Sequence, residues 1–171
     1  MRSYYQRLFL CPDWSNERGR AVGANMAAGH LCVTNYVGVA GVGADAAARP
    51  ADATGIGMFG HDRTLKTAQI KDGTSNTAMM IETGHEVGPW MRGGTATVRA
   101  FDADAGQLTG DGLPFGGTHF LDATLFESKR ADGFNLLLAD GSVRYVQNAI
   151  HPHLLVSLAT VAGGEDIPAA W

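Results

Sequence analysis

The sequence has few cysteines and no long apolar run, and each shortage excludes a class of protein. The 171 residues include two cysteines, which do not form a Cys-x-x-Cys pair, so neither a zinc ribbon nor a dithiol redox centre is expected. No stretch approaches the roughly 18 apolar residues that a membrane-spanning helix needs. Residues 1–10 are too few and too polar for the apolar region of a signal peptide. Taken as given, the chain is therefore predicted to have no membrane contact and to be cytoplasmic.

An excess of positive charge is also missing. The chain carries 13 basic and 17 acidic side chains, for a formal net charge of −4, and neither sign forms a long run. A nucleic-acid partner requires a basic surface, so none is expected. The Gly-x-Ser-x-Gly elbow of serine hydrolases is absent, and Gly55-x-Gly57-x-x-Gly60 lacks a convincing flanking strand and helix. That segment is predicted to be a loop, and no nucleotide cofactor is expected.

Glycine, by contrast, is abundant, and its distribution favours strands joined by turns. Many of the 23 glycines lie in short clusters between apolar runs, and 45% of the residues are hydrophobic. A chain of this length fits one domain. We therefore expect a single β-rich domain over residues 1–171, with residues 1–10 as a loose N-terminal segment. The predicted class is α+β, a mainly antiparallel β-sheet with long loops and a short C-terminal helix.

Local patterns predict the main elements. Asp140-Gly141 stands between two apolar runs and is the strongest hairpin signal in the chain, because glycine tolerates the positive φ that such turns require. Pro152 suits the first position of a helix, which the apolar spacing carries through Leu158 and Ala159 to Gly163-Gly164. Strands are predicted over residues 33–40, 77–82, 90–101, 134–139 and 143–146.

A series of turn motifs follows a fixed order along most of the chain, from about Leu8 to Ile167. The segments are Phe9–Asp13, Asn35–Gly41, Gly57–Gly60, Ile70–Thr77 with Glu82 after it, Asn135–Val146, and Leu158–Thr160 with Gly163–Glu165. This order resembles the large bacterial family of prepilin-like proteins of unknown function that ends in a His-x9-Asp-Gly motif. Here the Asp-Gly pair is Asp140-Gly141, but Arg130 occupies the position of the family's histidine. An activity that depends on that histidine does not carry over by the resemblance.

The resemblance implies a pseudopilin-like head, similar to those of type II secretion, that serves assembly or surface interaction. Family members typically carry an N-terminal membrane helix, which implies a place in the cell envelope or export. The implied partners are pilin-like subunits or further copies of the chain. The major pseudopilins of type II secretion hold Ca²⁺ in a C-terminal loop, so the resemblance also implies calcium as a ligand.

Acidic residues on turns are the candidate calcium ligands, because Ca²⁺ takes roughly six to eight oxygens from carboxylates, carbonyls and water. The five candidates are Asp72, Asp132, Asp140, Glu165 and Asp166. The alternative is that each aspartate accepts hydrogen bonds from the backbone of its own turn and binds no metal.

Glu82 ends an apolar strand, where a buried carboxylate is costly unless it is paired or hydrogen-bonded. Arg144 or a loop amide is the partner expected for it. The enzyme alternative is a metal-assisted hydrolase of small esters or lactones, in which a cation polarises the carbonyl and a histidine or glutamate activates water. The catalytic candidates would then be Glu82, His119, His151 and His153. The pair His151-Pro-His153 does not have the spacing of a zinc-binding His-Glu-x-x-His motif.

Two further features leave alternatives open. Trp14, Trp90 and Trp171 would be stacking platforms in a carbohydrate- or surface-binding module, whereas packing in the core or at a terminus is the alternative. Cys11 and Cys32 lie 21 positions apart. As a disulfide in an oxidising compartment they would stabilise the fold by roughly 3 kcal/mol. The alternative is two reduced thiols.

Overall fold

A five-stranded sheet organises the domain. The computed structural model describes residues 7–12, 33–91, 93–117, 119, 132–168 and 171. The strands are β1 (Val33–Thr34), β2 (Tyr36–Val42), β3 (Ala78–Glu82), β4 (Gly88–Pro89), β5 (Val98–Phe101), β6 (Gly133–Leu138) and β7 (Val143–Gln147). The C-terminal helix is α1 (Pro152–Ser157), and 3-10 turns lie at Arg7–Phe9, Ala46–Ala48, Thr67–Gln69, Thr74–Asn76 and Gly94–Ala96.

The sheet is mainly antiparallel. Its strand order is β5-β2-β3-β6-β7, in which β5 runs parallel to β2 and every other pair is antiparallel. β1 and β4 form a separate two-stranded ribbon. The predicted class is thereby confirmed: a β-rich α+β fold with a mainly antiparallel sheet and a short C-terminal helix.

The main core lies between the sheet, α1 and the loops that follow β5. Phe101 at the end of β5 stacks on Phe115, with ring centroids 4.3 Å apart. Burial of each large apolar side chain in such a core contributes roughly 1.5–3 kcal/mol. The buried members are Val37, Val39, Ala78, Ile81, Phe101, Leu108, Phe115, Phe134, Leu136, Leu138, Val146, Leu155, Leu158 and Ala159.

The predicted hairpin is present, formed by β6 and β7 around Asp140-Gly141. The Gly141 N–H donates to the Leu138 carbonyl (3.0 Å), and Gly141 has φ of +87°, which favours glycine. The Asp140 carboxylate closes the turn, because its Oδ1 accepts from the N–H (2.8 Å) and Oγ (2.6 Å) of Ser142. The strands predicted over 33–40 and 77–82 are also confirmed, the first as β1 and β2.

Two predicted boundaries are wrong. The strand predicted over 90–101 starts too early, since β5 begins at Val98. Gly93 and Gly94 have φ of +73° and +67° and lead into a 3-10 turn before it. The helix predicted to reach Gly163-Gly164 ends at Ser157. Beyond that point the backbone bonds to other segments: the Leu158 carbonyl accepts from Ala78 N–H at 2.7 Å, and the Val161 N–H donates to Ile56 at 2.9 Å.

The Gly55-x-Gly57-x-x-Gly60 segment packs backbone against backbone, which agrees with its prediction as a loop. A Cβ at Gly57 would lie 2.6 Å from Gly41 N and 2.7 Å from the carbonyl oxygens of Val39 and Ala159. The glycines here therefore allow close approach of three chain segments.

A smaller apolar cluster joins the N-terminal segment to the β1–β4 ribbon. It consists of Leu10, Cys11 and Val33, with Val87 packed against it. The Phe9 carbonyl accepts a hydrogen bond from the Asn35 N–H at 2.8 Å, which ties residues 7–12 to the start of β2. Among the described helices, none has the length and apolar character needed to cross a membrane.

Candidate functional site

Glu82, at the end of β3, is the largest anomaly of the core because its carboxylate is fully buried. Its Oε2 accepts hydrogen bonds from the backbone N–H and the Nδ2 of Asn135 in β6, both at 2.9 Å. Its Oε1 has no hydrogen-bond partner among the described residues. A buried carboxylate oxygen without a hydrogen-bond donor is costly, since the hydration it loses on burial is not replaced by the protein.

The predicted partner of Glu82 is only half right. An amide does bind the carboxylate, but it is a strand amide, that of Asn135, and Arg144 does not pair with it. The Arg144 Nη1 instead donates to the Trp171 carbonyl at 3.3 Å, and its guanidinium lies 4.2 Å from the centre of the Trp171 ring. The register explains the difference, because Arg144 is opposite Leu136 in the β6–β7 pair rather than next to the Glu82 carboxylate.

Two further side chains with metal-binding atoms converge on Glu82. His119 Nε2 lies 3.1 Å from Glu82 Oε2 and 3.9 Å from the Sγ of Cys11. Cys11 is buried, and the side chain of His119 is 16% exposed, so the cluster is closed except on the histidine side. Within the described residues, this is the one group of three or more His, Cys, Asp or Glu side chains whose ligand atoms lie within 4.8 Å of one another.

Asn35 holds the cysteine in this position. It lies at the break between β1 and β2 and is fully buried. Its Oδ1 accepts from the Cys11 N–H at 3.1 Å, and its Nδ2 donates to the Thr83 carbonyl at 2.9 Å. One amide side chain therefore links the N-terminal segment to the residue that follows Glu82.

The charge of the cluster acts on a neighbouring phenol. Tyr36 is opposite Glu82 in the β2–β3 pair. Burial, followed by the negative charge of Glu82, raises the pKa of Tyr36 to about 12. The phenol therefore stays neutral at physiological pH.

The geometry distinguishes two kinds of chemistry. In a nucleophile–histidine–carboxylate relay, the histidine contacts the nucleophile through one ring nitrogen and the carboxylate through the other. Here the same atom, Nε2 of His119, is near both the sulfur of Cys11 and the oxygen of Glu82. Three donor atoms that surround a common point are typical of ligands to one cation.

The other predicted catalytic residues lie apart from this cluster. His151 and His153 are exposed at the start of α1, where their rings stack with centroids 5.4 Å apart. Of the four catalytic candidates, the structure therefore brings together Glu82 and His119.

The five predicted calcium ligands lie in three places: Asp72 by the turn that precedes Glu165 and Asp166, Asp132 next to β6, and Asp140 in the hairpin turn. Asp72 accepts hydrogen bonds from the N–H groups of Gly163 (2.8 Å) and Gly164 (2.9 Å), so it is pinned by backbone amides. Asp132 Oδ1 accepts from Asn148 Nδ2 at 2.5 Å, next to β6. Asp140 binds its own turn, as described above. Glu165 and Asp166 are exposed. Calcium binding stays a prediction, and the described structure gathers no group of these carboxylates.

Several predictions fall on residues outside the described part of the chain. Cys32, Trp14 and Arg130 are among them, so the disulfide and the replacement of the family's histidine stay predictions. Of the other two tryptophans, Trp90 is 40% exposed and packs on Phe9 with ring centroids 5.2 Å apart.

The sequence reasoning missed Cys11, Asn35 and Asn135 as members of this site. One signal was available: Asn135 interrupts the apolar run of β6, and a polar side chain in such a run requires a buried partner. Cys11 gave no comparable signal, since 108 positions separate it from His119.

A comparison with family models matches residues 4–153 to SBP_bac_10, described as a protein of unknown function (DUF1559). The match spans most of the chain, and the chain belongs to this family. Neither the curated proteins nor the solved structures contain a match.

Proposed function

We propose that this member of the DUF1559 family is a pseudopilin-like head, a structural module that associates with further copies of itself. The observation that carries the proposal is an apolar surface at the entry of the chain into the domain. We call it the entry patch; its members are Leu8, Phe9, Trp90 and Met91.

The entry patch is unusually exposed for side chains of this kind. Leu8 is 83% exposed, Met91 68% and Trp90 40%, and the Phe9–Trp90 ring contact joins the two chain segments. Leu8 and Met91 are the chain neighbours of these two rings, and large exposed apolar patches mark interaction surfaces. The family resemblance implies pilin-like subunits or further copies of the chain as partners, and the entry patch is an apolar surface suited to a second copy.

Sedimentation velocity over a range of protein concentrations tests this function. We expect the wild-type chain to associate as concentration rises, and Leu8→Glu and Met91→Glu to remain monomeric, since a charge in an apolar contact is costly. Val143→Glu is the matched control, because Val143 is 62% exposed on β7, in a different part of the fold. A wild-type chain that stays monomeric at all concentrations, or equal loss of association in Val143→Glu, would contradict the proposal.

Calcium is the ligand that the resemblance adds to this function. Support in the structure is limited to Asp72, whose carboxylate already holds the Gly163-Gly164 turn beside the exposed Glu165 and Asp166. Thermal unfolding with Ca²⁺ and with a chelator tests it. A ligand at 100 times its Kd adds about 2.7 kcal/mol to stability and raises the midpoint. A higher midpoint would support a calcium-bound head, and an unchanged midpoint would remove calcium from it.

A second candidate function is hydrolysis of small esters or lactones. The observation that favours it is that two of its predicted residues, Glu82 and His119, lie 3.1 Å apart and His119 is accessible. We expect His119→Ala to abolish any such hydrolysis, while His153→Ala leaves it unchanged. Equal rates in the wild type and His119→Ala over a panel of small esters and lactones would exclude this candidate.

A further inference from the structure

We propose that Cys11, Glu82 and His119 form a binding site for a single zinc ion. Thiolate, carboxylate and imidazole are the three ligand types that proteins use for Zn²⁺. Calcium and magnesium, by contrast, take oxygen ligands, so the sulfur of Cys11 excludes them as the natural occupants.

The distances lie within a few tenths of an ångström of those around a tetrahedral zinc ion. With zinc bonds of about 2.3 Å to sulfur and about 2.0–2.1 Å to nitrogen and oxygen, neighbouring ligand atoms lie about 3.3–3.6 Å apart. The separations are 3.1 Å from His119 Nε2 to Glu82 Oε2 and 3.9 Å from that nitrogen to the Cys11 sulfur. Small rotations of these side chains would bring both values into range. The three residues supply three ligands, and a water molecule is suited to the fourth position.

A second observation points to a ligand independently of the spacing. Glu82 Oε1 is buried and lacks a hydrogen-bond partner among the described residues, in the same carboxylate whose Oε2 lies 3.1 Å from His119 Nε2. The other oxygen, Oε2, is held by Asn135, which fixes the carboxylate without neutralising its charge. A divalent cation would compensate both the carboxylate and a Cys11 thiolate. Hydrogen-bonded support of this kind is characteristic of metal-binding carboxylates.

The site would add a link between two parts of the fold that already meet through the hydrogen bonds of Asn35 and the small apolar cluster. Cys11 belongs to the small apolar cluster of the N-terminal segment, whereas Glu82 ends a central strand. Zinc binding would therefore stabilise the attachment of residues 7–12 to the sheet. A disulfide between Cys11 and Cys32 would use the same sulfur, so the proposal concerns the reduced chain.

Cobalt substitution tests the proposal on the full-length chain, reduced with a phosphine and stripped of metal. We expect one equivalent of Co²⁺ to give a thiolate-to-cobalt charge-transfer band with the strong visible bands of a tetrahedral ion, and one equivalent of Zn²⁺ to remove them. We expect Cys11→Ser to lose the charge-transfer band. His119→Ala should weaken Zn²⁺ binding, followed by equilibrium dialysis, at least about tenfold.

Matched variants separate this site from adventitious binding. Cys32→Ser changes the other cysteine and should keep the charge-transfer band, and His151→Ala with His153→Ala removes the exposed histidine pair and should keep it too. If Cys11→Ser fails to fold, Zn²⁺ affinity replaces the band as the readout: the partly exposed His119→Ala should bind more weakly than the variant that lacks His151 and His153, and equal affinities would overturn the proposal. The proposal is overturned if the folded wild type gives no charge-transfer band, if the band survives Cys11→Ser, or if it is lost with Cys32→Ser or the histidine pair. Association is followed by sedimentation of the metal-free chain and metal binding by the cobalt spectrum, so failure of the zinc site and failure of the proposed function are distinguishable.

Discussion

Arg99 and Glu82 are buried charged side chains on two strands of the same sheet, yet their surroundings differ. Arg99 is 6% exposed, and its five N–H groups meet five acceptors. These acceptors are the carbonyl oxygens of Thr95, Pro114, His85 and Glu86 and the Oγ1 of Thr83. In Glu82, by contrast, Oε2 lies within hydrogen-bond distance of three nitrogens, two of Asn135 and one of His119. Oε1 has no hydrogen-bond partner among the described residues.

The difference between the two shows how a structural charge can be distinguished from a charge with another role. All five N–H donors of the Arg99 side chain are used in hydrogen bonds to three loops. The guanidinium therefore connects these loops and has no donor left for a ligand. Burial lowers the pKa of Arg99, and the negative charge of Glu86 opposes this shift. Asn135 fixes the Glu82 carboxylate, but Oε1 has no hydrogen-bond partner among the described residues. The carboxylate also lies beside two further potential metal ligands, His119 Nε2 and the Cys11 sulfur. We therefore assign Arg99 to the stability of the fold and Glu82 to the candidate site.

The largest expected effect is the removal of Arg99. Arg99→Met leaves several buried carbonyls without donors, and we expect a loss of about 3 kcal/mol or more in the free energy of unfolding. Urea denaturation measures it. Arg144→Met is the control, because Arg144 makes one hydrogen bond and one ring contact at the terminus and should cost about 1 kcal/mol. Equal losses in the two variants would mean that Arg99 has no special structural role.

The loss of stability on substitution of Glu82 should depend on whether the new side chain still offers Asn135 a hydrogen-bond acceptor. Glu82→Ala leaves the N–H and Nδ2 of Asn135 unsatisfied, so we expect a loss of about 2 kcal/mol in metal-free protein. Glu82→Gln keeps an acceptor oxygen and removes the buried charge, and we expect a change within about 1 kcal/mol. If Glu82→Gln destabilises as much as Glu82→Ala, the charge itself is structural, and the contrast with Arg99 fails.

The ionisation of Tyr36 reports the charge of Glu82 in metal-free protein. Ultraviolet titration should give a tyrosinate signal, absent in Tyr36→Phe, with a pKa of about 12. In Glu82→Gln the same signal should move to lower pH, because the second cause of the shift is removed. A folded-state pKa above the unfolded value of about 10 means that this contribution to stability is present below pH 10 and is lost as pH rises towards 12. An unchanged titration of Tyr36 in Glu82→Gln would contradict a contribution of Glu82 to the raised pKa of Tyr36.

The smallest effect is expected at the exposed carboxylate of Asp140, which contrasts with buried Glu82. Hydrogen bonds from Ser142 lower the pKa of Asp140 below its usual value. Its contribution to stability is therefore present above the unfolded pKa and lost as pH falls through the lower folded value. Asp140→Asn should show a slightly shallower loss of stability on acidification, measured by thermal unfolding. An identical pH profile in wild type and variant would contradict this.

The parts of the fold that the sequence predicts correctly are those with a local cause. Asp140-Gly141 produces its turn through glycine's positive φ, and Pro152 begins α1, both within a few residues of the signal. The end of α1 was missed because it depends on distant hydrogen bonds, such as that between Ala78 and Leu158.

Of the candidate site, the sequence pointed clearly only to Glu82. Glu82 stands out in the sequence because a carboxylate ends an apolar strand, and the need for a partner follows from burial alone. The identity of the partners depends on strand register and on chain closure over 37 positions to His119 and 108 positions from there to Cys11. No periodicity or local motif encodes such closures, so Arg144 was a reasonable but wrong choice.

The most direct measurement of the contrast between the two buried charges is thermal unfolding with and without Zn²⁺ for three reduced proteins: wild type, Glu82→Gln and Arg99→Lys. We predict that Zn²⁺ raises the midpoint of the wild type and of the destabilised Arg99→Lys by similar amounts, because ligand binding adds to the stability of whichever native state contains the site. In Glu82→Gln the midpoint should not respond to Zn²⁺. A Zn²⁺-dependent rise in Glu82→Gln equal to that of the wild type would contradict the account, as would no rise in the wild type.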